Sequence, residues 1–408
     1  MKTGLIGNEI SEQIFNEFDL SCKRINSYIK SLDFNGIYID FPNENNCERI
    51  DVPSENSKRS NVVDTIIFKN ELSYGFNSDY DAFMYCINRH AIDLKDKKVL
   101  IIGNNWISKS ILPALEDLNV KEIYIVDQNL DADSISYTEC YARHLDSQIV
   151  IHTSLTGMNP DIDSIPIDIH LFSKCELLID YVYDPLISKI EQDALQSGIQ
   201  TITGIELKIA KIKFATEKIK GTSIQEKLFQ SVLDTYYINQ LNIVLIGMTS
   251  AGKTTIGKLL ETKLHKSFID MDEIIVQDTH TSIPEIFKRS GEAGFRKLET
   301  MTALKLSVLN QKIIGTGGGT IKNKINIDLL KLNGVVIFID RDLDKLVTYD
   351  PNRPLSSSQE AVKKLYEERF PIYQKYADIT VKNNDKIEDT VEKIICELNR
   401  IVKNKKSV

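Results

Sequence analysis

Several features that would narrow the class of this 408-residue chain are missing. Its six cysteines (Cys22, Cys47, Cys86, Cys140, Cys175 and Cys396) are scattered, with no CxxC pair and no histidine at metal-ligand spacing. That excludes a zinc knuckle and argues against a disulfide framework. No apolar run approaches the ~20 residues needed to span a bilayer, and the opening MKTGLIGNEISEQ lacks the apolar core of a signal peptide. Basic residues do not predominate: 50 Lys and Arg against 58 Asp and Glu leave a net charge of −8, the wrong sign for a general nucleic-acid binder. The Lys-rich end RIVKNKKSV reads as a solvated helix terminus. A soluble, cytoplasmic protein with reduced thiols is expected.

What remains is ordinary globular composition, 42% hydrophobic and 26% charged, in a length suited to two or three domains. Apolar β-branched runs such as VLIIG, EIYIVDQ, ELLIDYV, NIVLIG and GVVIFID alternate with helical patterns, which predicts an α/β protein of parallel sheets covered by helices. A long helical stretch, roughly 206–239, is interrupted only by Gly221 and leads into a fresh strand at Leu241. Boundaries are expected near 85 and 238, giving lobes 1–85 and 86–238 and a domain 240–408.

The strongest chemistry lies in NIVLIGMTSAGKTTIGKLLETKL, a buried strand, the loop Gly247-x4-Gly252-Lys253-Thr254, and a helix. Glycines let backbone N–H groups turn around phosphate oxygens, and the helix adds its positive end. Gly247, Ser250, Ala251, Gly252, Lys253, Thr254 and Thr255 would hold ATP, with Lys253 on the β- and γ-phosphates. Thr254 and the first carboxylate of Asp270-x-Asp272 would hold Mg²⁺. Alternation along the strand SFIDMDEII would put both carboxylates on one side. Behind these follow Arg296 in GFRKLE, a strand running into Gly317-Gly318-Gly319, Arg353 in NRPLS and Arg369 in ERFPIY. Arginine suits bidentate capture of a carboxylate.

In this order GMTSAGKTT, DMD, FRKLE, GGG, RPL and RFPIY resemble shikimate kinase over residues 241 to about 400. The resemblance implies a P-loop fold of the nucleoside-monophosphate-kinase kind, with ATP, Mg²⁺ and shikimate as ligands. It implies that Asp272, Arg296, the glycines 317–319 and Arg369 bind shikimate, the two arginines gripping its carboxylate. Lys253, Asp272 and Arg353 would be catalytic, Arg353 closing over the phosphates. Two departures stand out: Ser250 replaces a usual glycine, and LVTYDPN offers no arginine to stack on adenine.

Residues 1 to about 238 resemble shikimate dehydrogenase through GLIGNEIS, FNGIYIDFP, GFNSDYDAF, KKVLIIG, TSLTGM, DYVYDPL and GIELKIAKIKFATEKIKG. A substrate lobe and a Rossmann-like lobe are implied. The family's catalytic lysine position holds Glu44, its asparagine position holds Tyr38, and only Asp79 of the catalytic pair remains. The glycine-rich turn has become Gly103-Asn104-Asn105-Trp106, Asp127 would repel a 2′-phosphate, and Glu206 and Lys211 replace glycine and glutamine. These changes argue against NAD(P) binding and predict a degenerate site filled by Trp106. The expectation is a shikimate kinase with an inactive dehydrogenase-like half. Alternatives are a bifunctional dehydrogenase–kinase and a non-catalytic ATP-binding regulator. A homodimer through the first half stays open.

Overall fold

The computed structural model describes residues 2–25, 34–42, 46–346 and 359–404. The chain divides into two compact units, 1–236 and 237–408. None of the described helices is long and apolar enough to cross a membrane.

The first unit holds two six-stranded sheets. Its strands are β1 (Thr3–Ile6), β2 (Cys22–Arg24), β3 (Gly36–Ile39), β4 (Val52–Pro53), β5 (Thr65–Lys69), β6 (Leu72–Phe76), β7 (Lys98–Ile102), β8 (Glu122–Val126), β9 (Ser134–Ile135), β10 (Ile149–His152), β11 (Leu177–Asp180) and β12 (Gln200–Ile202). Its helices are α1 (Glu9–Glu17), α2 (Glu55–Ser60), α3 (Ser78–Arg89), α4 (Trp106–Asp117), α5 (Tyr137–Arg143), α6 (Lys189–Gln196) and α7 (Gly204–Lys220), with α8 (Glu226–Gln240) running through the division. The second sheet, ordered β12-β11-β10-β7-β8-β9, is wholly parallel.

The first sheet departs from the parallel expectation. In its order β2-β1-β3-β5-β6-β4, strand β5 runs antiparallel to both β3 and β6. The β5–β6 pairing has a local cause: Asn70 and Glu71 both take positive φ, 52° and 64°, the geometry of a two-residue hairpin turn. The expected 206–239 helix is two helices, because α7 ends on Gly221 in the left-handed conformation.

The second unit carries β13 (Asn242–Ile246), β14 (Ser267–Asp270), β15 (Lys312–Gly315), β16 (Gly334–Asp340) and β17 (Ile379–Lys382). Its helices are α9 (Lys253–Leu264), α10 (Met271–Thr279), α11 (Ile283–Ser307), α12 (Lys324–Lys331), α13 (Gln359–Tyr376) and α14 (Ile387–Asn404). The parallel sheet is ordered β14-β15-β13-β16-β17. Ile243, Val244, Leu245 and Ile246 are at most 2% exposed, so β13 belongs at the centre. Burying each contributes about 1.5–3 kcal/mol. Register then fixes function: Leu245 and Asp270 both pair with Gly315, and Ile246 pairs with Phe338. The segments that follow β13, β14 and β15 therefore leave from one edge, the carboxyl end where α/β sheets bind ligands.

Candidate active site

At that edge the loop after β13 turns inward. Gly247 has φ +146°, and a Cβ there would lie 2.6 Å from the Ile339 carbonyl, so no larger residue fits. Ser250 keeps the left-handed angle of the glycine it replaces, at φ +65°. Gly252 caps α9, which starts at Lys253. The Lys253 Nζ donates to the carbonyls of Gly247 and Met248, at 2.9 and 2.8 Å, and so sits inside the loop. Ala251 is buried beneath the loop and Thr255 is exposed on the first turn of α9. A tie not apparent in the sequence comes from Asn383, beyond β17, whose amide donates to the Ala251 carbonyl at 2.9 Å.

The Asp270-x-Asp272 pair corrects one expectation. Asp270 is the last residue of β14, and Asp272 already lies in the first turn of α10, so strand alternation does not relate them. The strand stops because the Asp270 carboxylate caps the helix, accepting the Asp272 N–H at 3.0 Å. Its other oxygen accepts the Thr254 hydroxyl at 3.2 Å. Two hard oxygen donors thus stand together at a helix N-terminus, a set that fits Mg²⁺.

Asp272, Arg296 and Arg369 converge on the glycine turn. A Cβ at Gly317 would lie 3.0 Å from the Asp272 carboxylate, and one at Gly318 would lie 3.4 Å from Arg369 Nη1. One at Gly319 would fall 2.4–2.7 Å from the Arg296 guanidinium. Glycine is most strictly required at Gly319, where the Arg296 guanidinium lies against the backbone, while the Gly317 and Gly318 positions are tighter fits beside Asp272, Glu299 and Thr249. Arg369, 4% exposed, donates through Nη1 to the Gly318 carbonyl at 2.9 Å, while its buried Nε finds no partner among the described residues.

Arg296 is held on α11 by two acids, Nη1 on Glu299 at 2.5 Å and Nη2 on Glu292 at 3.0 Å, with Nε at 3.3 Å from Glu292. Burial alone would loosen its proton, but Glu299 and Glu292 outweigh that and raise its pKa. Glu299, 1% exposed, also accepts the Thr320 hydroxyl. The sequence reading gave Glu299 and Tyr373 no role. An acid three residues after an arginine on a helix was the available signal. Tyr373, the last residue of RFPIY, donates its hydroxyl to the Gly318 carbonyl at 2.5 Å. Arg353 lies outside the described residues.

A family model of shikimate kinase matches residues 249–399. The chain is 41% identical to a shikimate kinase of Clostridium beijerinckii over 155 residues, 37% of this chain and 91% of that one. The chain belongs to the shikimate kinase family. A shikimate kinase of Caldanaerobacter subterraneus is 39% identical over 161 residues, 94% of its length. The rest of this kinase has another fold. Shikimate dehydrogenase 1 of Peptoclostridium difficile, at 21% identity and TM-score 0.51, covers 58% of this chain and 97% of its own. A chorismate mutase/shikimate 5-dehydrogenase fusion protein of Clostridium acetobutylicum gives TM-score 0.53 at 20% identity, over 58% and 96%. The kinase unit is thus joined to a unit with the fold of shikimate dehydrogenases.

In that first unit the turn after β7 is closed on itself. The Gly103 φ is +108°, and Asn104 N–H donates to the Asp127 carboxylate at 2.8 Å. The Asn105 side chain accepts the N–H groups of Ile107 and Ser108, at 2.9 and 3.3 Å, forming a capping box with Ser108. Three of the N–H groups that the helix start would offer a pyrophosphate, those of Asn105, Ile107 and Ser108, are therefore taken by the chain's own residues. Glu206 is turned aside to Arg89 and His90. His152 bridges Asp180 and Ser154, each at 2.8 Å, while the Gly103, Asn104, Asn105 and Ser154 N–H groups have internal acceptors.

Glu44 lies outside the described residues. Asp79 is described, and it is not alone. Lys211 of α7 donates to its Oδ2 at 2.7 Å and approaches Asp64 at 3.7 Å. From the sequence, Lys211 reads as a loss, the replacement of a glutamine. In the fold it reaches Asp79 from 132 positions away. Burial alone would lower the Lys211 pKa, but the fields of Asp79 and Asp64 outweigh it and raise it. One turn earlier, Lys208 pairs with Asp40, which also accepts Tyr38 Oη, Ser11 Oγ and Asn8 N–H. Trp106 meets Phe41 edge-on, ring centres 5.7 Å apart, beside these pairs.

Proposed function

We propose that the domain 240–408 phosphorylates the 3-hydroxyl of shikimate with ATP, and that residues 1–238 carry out no hydride transfer. The observation that supports the first part most is the convergence of Arg296, Arg369 and Asp272 on the Gly317–Gly319 turn, on the same sheet edge as the phosphate loop. Two arginines aimed at one place suit a carboxylate.

Lys253 leaves its carbonyl partners for the β- and γ-phosphates, and the loop N–H groups cradle the same oxygens. Thr254 and Asp270 would hold Mg²⁺, which when bound neutralises charge on the transferring phosphoryl group. Asp272 orients the attacking hydroxyl or takes its proton. Arg296, locked by Glu299, fixes the ring from its carboxylate end, so the hydroxyl is presented in line. Arg353 is assigned the phosphate charge from the lid.

The capped Asn105 turn supports the second part. The Lys211–Asp79 pair favours the rival bifunctional reading, since it could serve proton transfer. Both parts are tested on the full chain. ATP-dependent release of ADP should require shikimate, and NAD or NADP at high shikimate should give no reduction at 340 nm. Shikimate-independent ADP release would sink the first part, and dinucleotide turnover at roughly 1 s⁻¹ or more would sink the second.

A further inference from the structure

The sheet order of the second unit separates two sides of its site. Asp270, Asp272 and the Gly317–Gly319 turn follow β14 and β15, on one side of the central β13. The phosphate loop follows β13 itself, so a nucleoside extending from it is left the other side, the ends of β16 and β17. The first residues beyond those ends are Arg341 and Asn383, and both are tied to the outside of the loop. Arg341 Nη1 donates to the Ser250 carbonyl at 3.4 Å, and the Asn383 amide to the Ala251 carbonyl at 2.9 Å. Loop N–H groups that turn in toward phosphate leave their carbonyls turned out. A guanidinium resting on such a carbonyl therefore stands beside the phosphate cradle, not inside it.

Most polar groups at these two strand ends answer one another. The Asn383 side chain also accepts the Thr390 hydroxyl at 3.0 Å, and that of Asn384 accepts the Asp342 N–H at 3.0 Å. Lys345 donates to the Asn384 carbonyl at 2.9 Å, and Lys382 lies 3.6 Å from Asp342. Arg341, half-buried, is poorly answered. Among the described residues it has no ion pair, its one hydrogen bond is long, and its buried Nε has no partner. Arg296 of the same unit is held by two acids. A buried donor left open in this way is explained when a ligand completes the surroundings. The guanidinium is also planar, and its face stacks on aromatic rings while its edge still donates. LVTYDPN offers no other arginine for that purpose.

We propose that Arg341 is the nucleobase platform of the kinase unit: its edge rests on the Ser250 carbonyl, and its face carries the base of the nucleoside triphosphate. It rests on the ATP reading above and adds to it a residue that touches the base, away from the transferring phosphoryl group.

Inorganic triphosphate carries the phosphates of ATP without the base, which separates a platform from a phosphate ligand or a strap on the loop. ADP and inorganic triphosphate are titrated calorimetrically into the full-length protein at one Mg²⁺ concentration. Arg341→Ala should weaken ADP roughly 5- to 30-fold while triphosphate stays within about threefold of wild type. If triphosphate binding also falls in that variant, Arg341→Lys decides, since it keeps a donor for the Ser250 carbonyl but no plane. It should hold triphosphate normally and ADP at least about threefold more weakly. ADP held at wild-type strength by either variant, or both ligands weakened equally by Arg341→Lys, overturns the platform and leaves the ATP reading standing. A wild-type protein that binds neither ligand overturns the ATP reading itself, and the platform with it.

Discussion

Replacing Arg296 by lysine separates the charge at this position from its geometry. Arginine has five N–H donors. Three are spent in this structure, on Glu292 through Nε and Nη2 and on Glu299 through Nη1. Two are left, one on each terminal nitrogen, matching the two oxygens of a carboxylate. Alanine would remove both and also strand Glu299, 1% exposed, at about 3–5 kcal/mol of stability, so lost activity could simply mean lost fold. Lysine keeps a cation for Glu299 and offers the substrate one donor at best. Losing one charge-assisted hydrogen bond of about 1.5–3 kcal/mol predicts a roughly 10- to 150-fold fall in kcat/KM for shikimate. Coupled ADP release, measured with each substrate varied against saturating partner, should show that fall for shikimate and an ATP KM within about threefold of wild type. An unchanged shikimate KM, or an equal rise in both KM values, would refute the carboxylate assignment.

Gly319→Ala should act on the same step from the other side, since its Cβ would fall 2.4–2.7 Å from the Arg296 guanidinium. Steady-state kinetics should show shikimate kcat/KM down on the order of 10- to 100-fold with ATP KM near wild type. Asn105→Ala removes the cap of α4 and the donor to the Thr153 carbonyl, and should destabilise the first unit by about 1–2 kcal/mol in urea unfolding followed through Trp106. Asp40 is pushed toward a higher pKa by burial but pulled further down by Lys208 and by the donors around it, so its folded pKa is below the unfolded value. Stability from it is then present above about pH 4 and lost as pH falls through the folded pKa. Asp40→Asn should flatten that acid slope and lower the starting stability by about 3–5 kcal/mol through unpaired Lys208, and a slope identical to wild type would count against the assignment.

The kinase half was legible because its chemistry is written in short spans. A glycine at 247 and another at 252 are dictated by backbone angles within one loop, and no distant residue alters that requirement. The triple glycine was legible as close approach, but not what approaches it. The misreading of Asp270 and Asp272 came from extending strand periodicity past a helix cap, a one-residue boundary error with a chemical consequence. Arg353 was named from sequence and lies outside the described residues. In the first half the capped turn was readable, since asparagine before a helix is an N-cap signal.

Lys211 was not readable in that way, because its partner is set by the packing of α7 on α3 across the fold. A weaker signal did exist. GIELKIAKIKFATEKIK is buried on almost every face, and its lysines at 208, 211 and 213 are all buried with it. A buried ammonium must find a carboxylate, so a helix of this kind announces aspartates elsewhere without saying which. The energetics then bear on function. A buried ion pair contributes little net stability, and well-packed apolar residues of the same volume often do as well or better. A first unit kept only as a scaffold has no energetic need for two such pairs side by side, nor for a buried Tyr181 hydroxyl without a partner among the described residues.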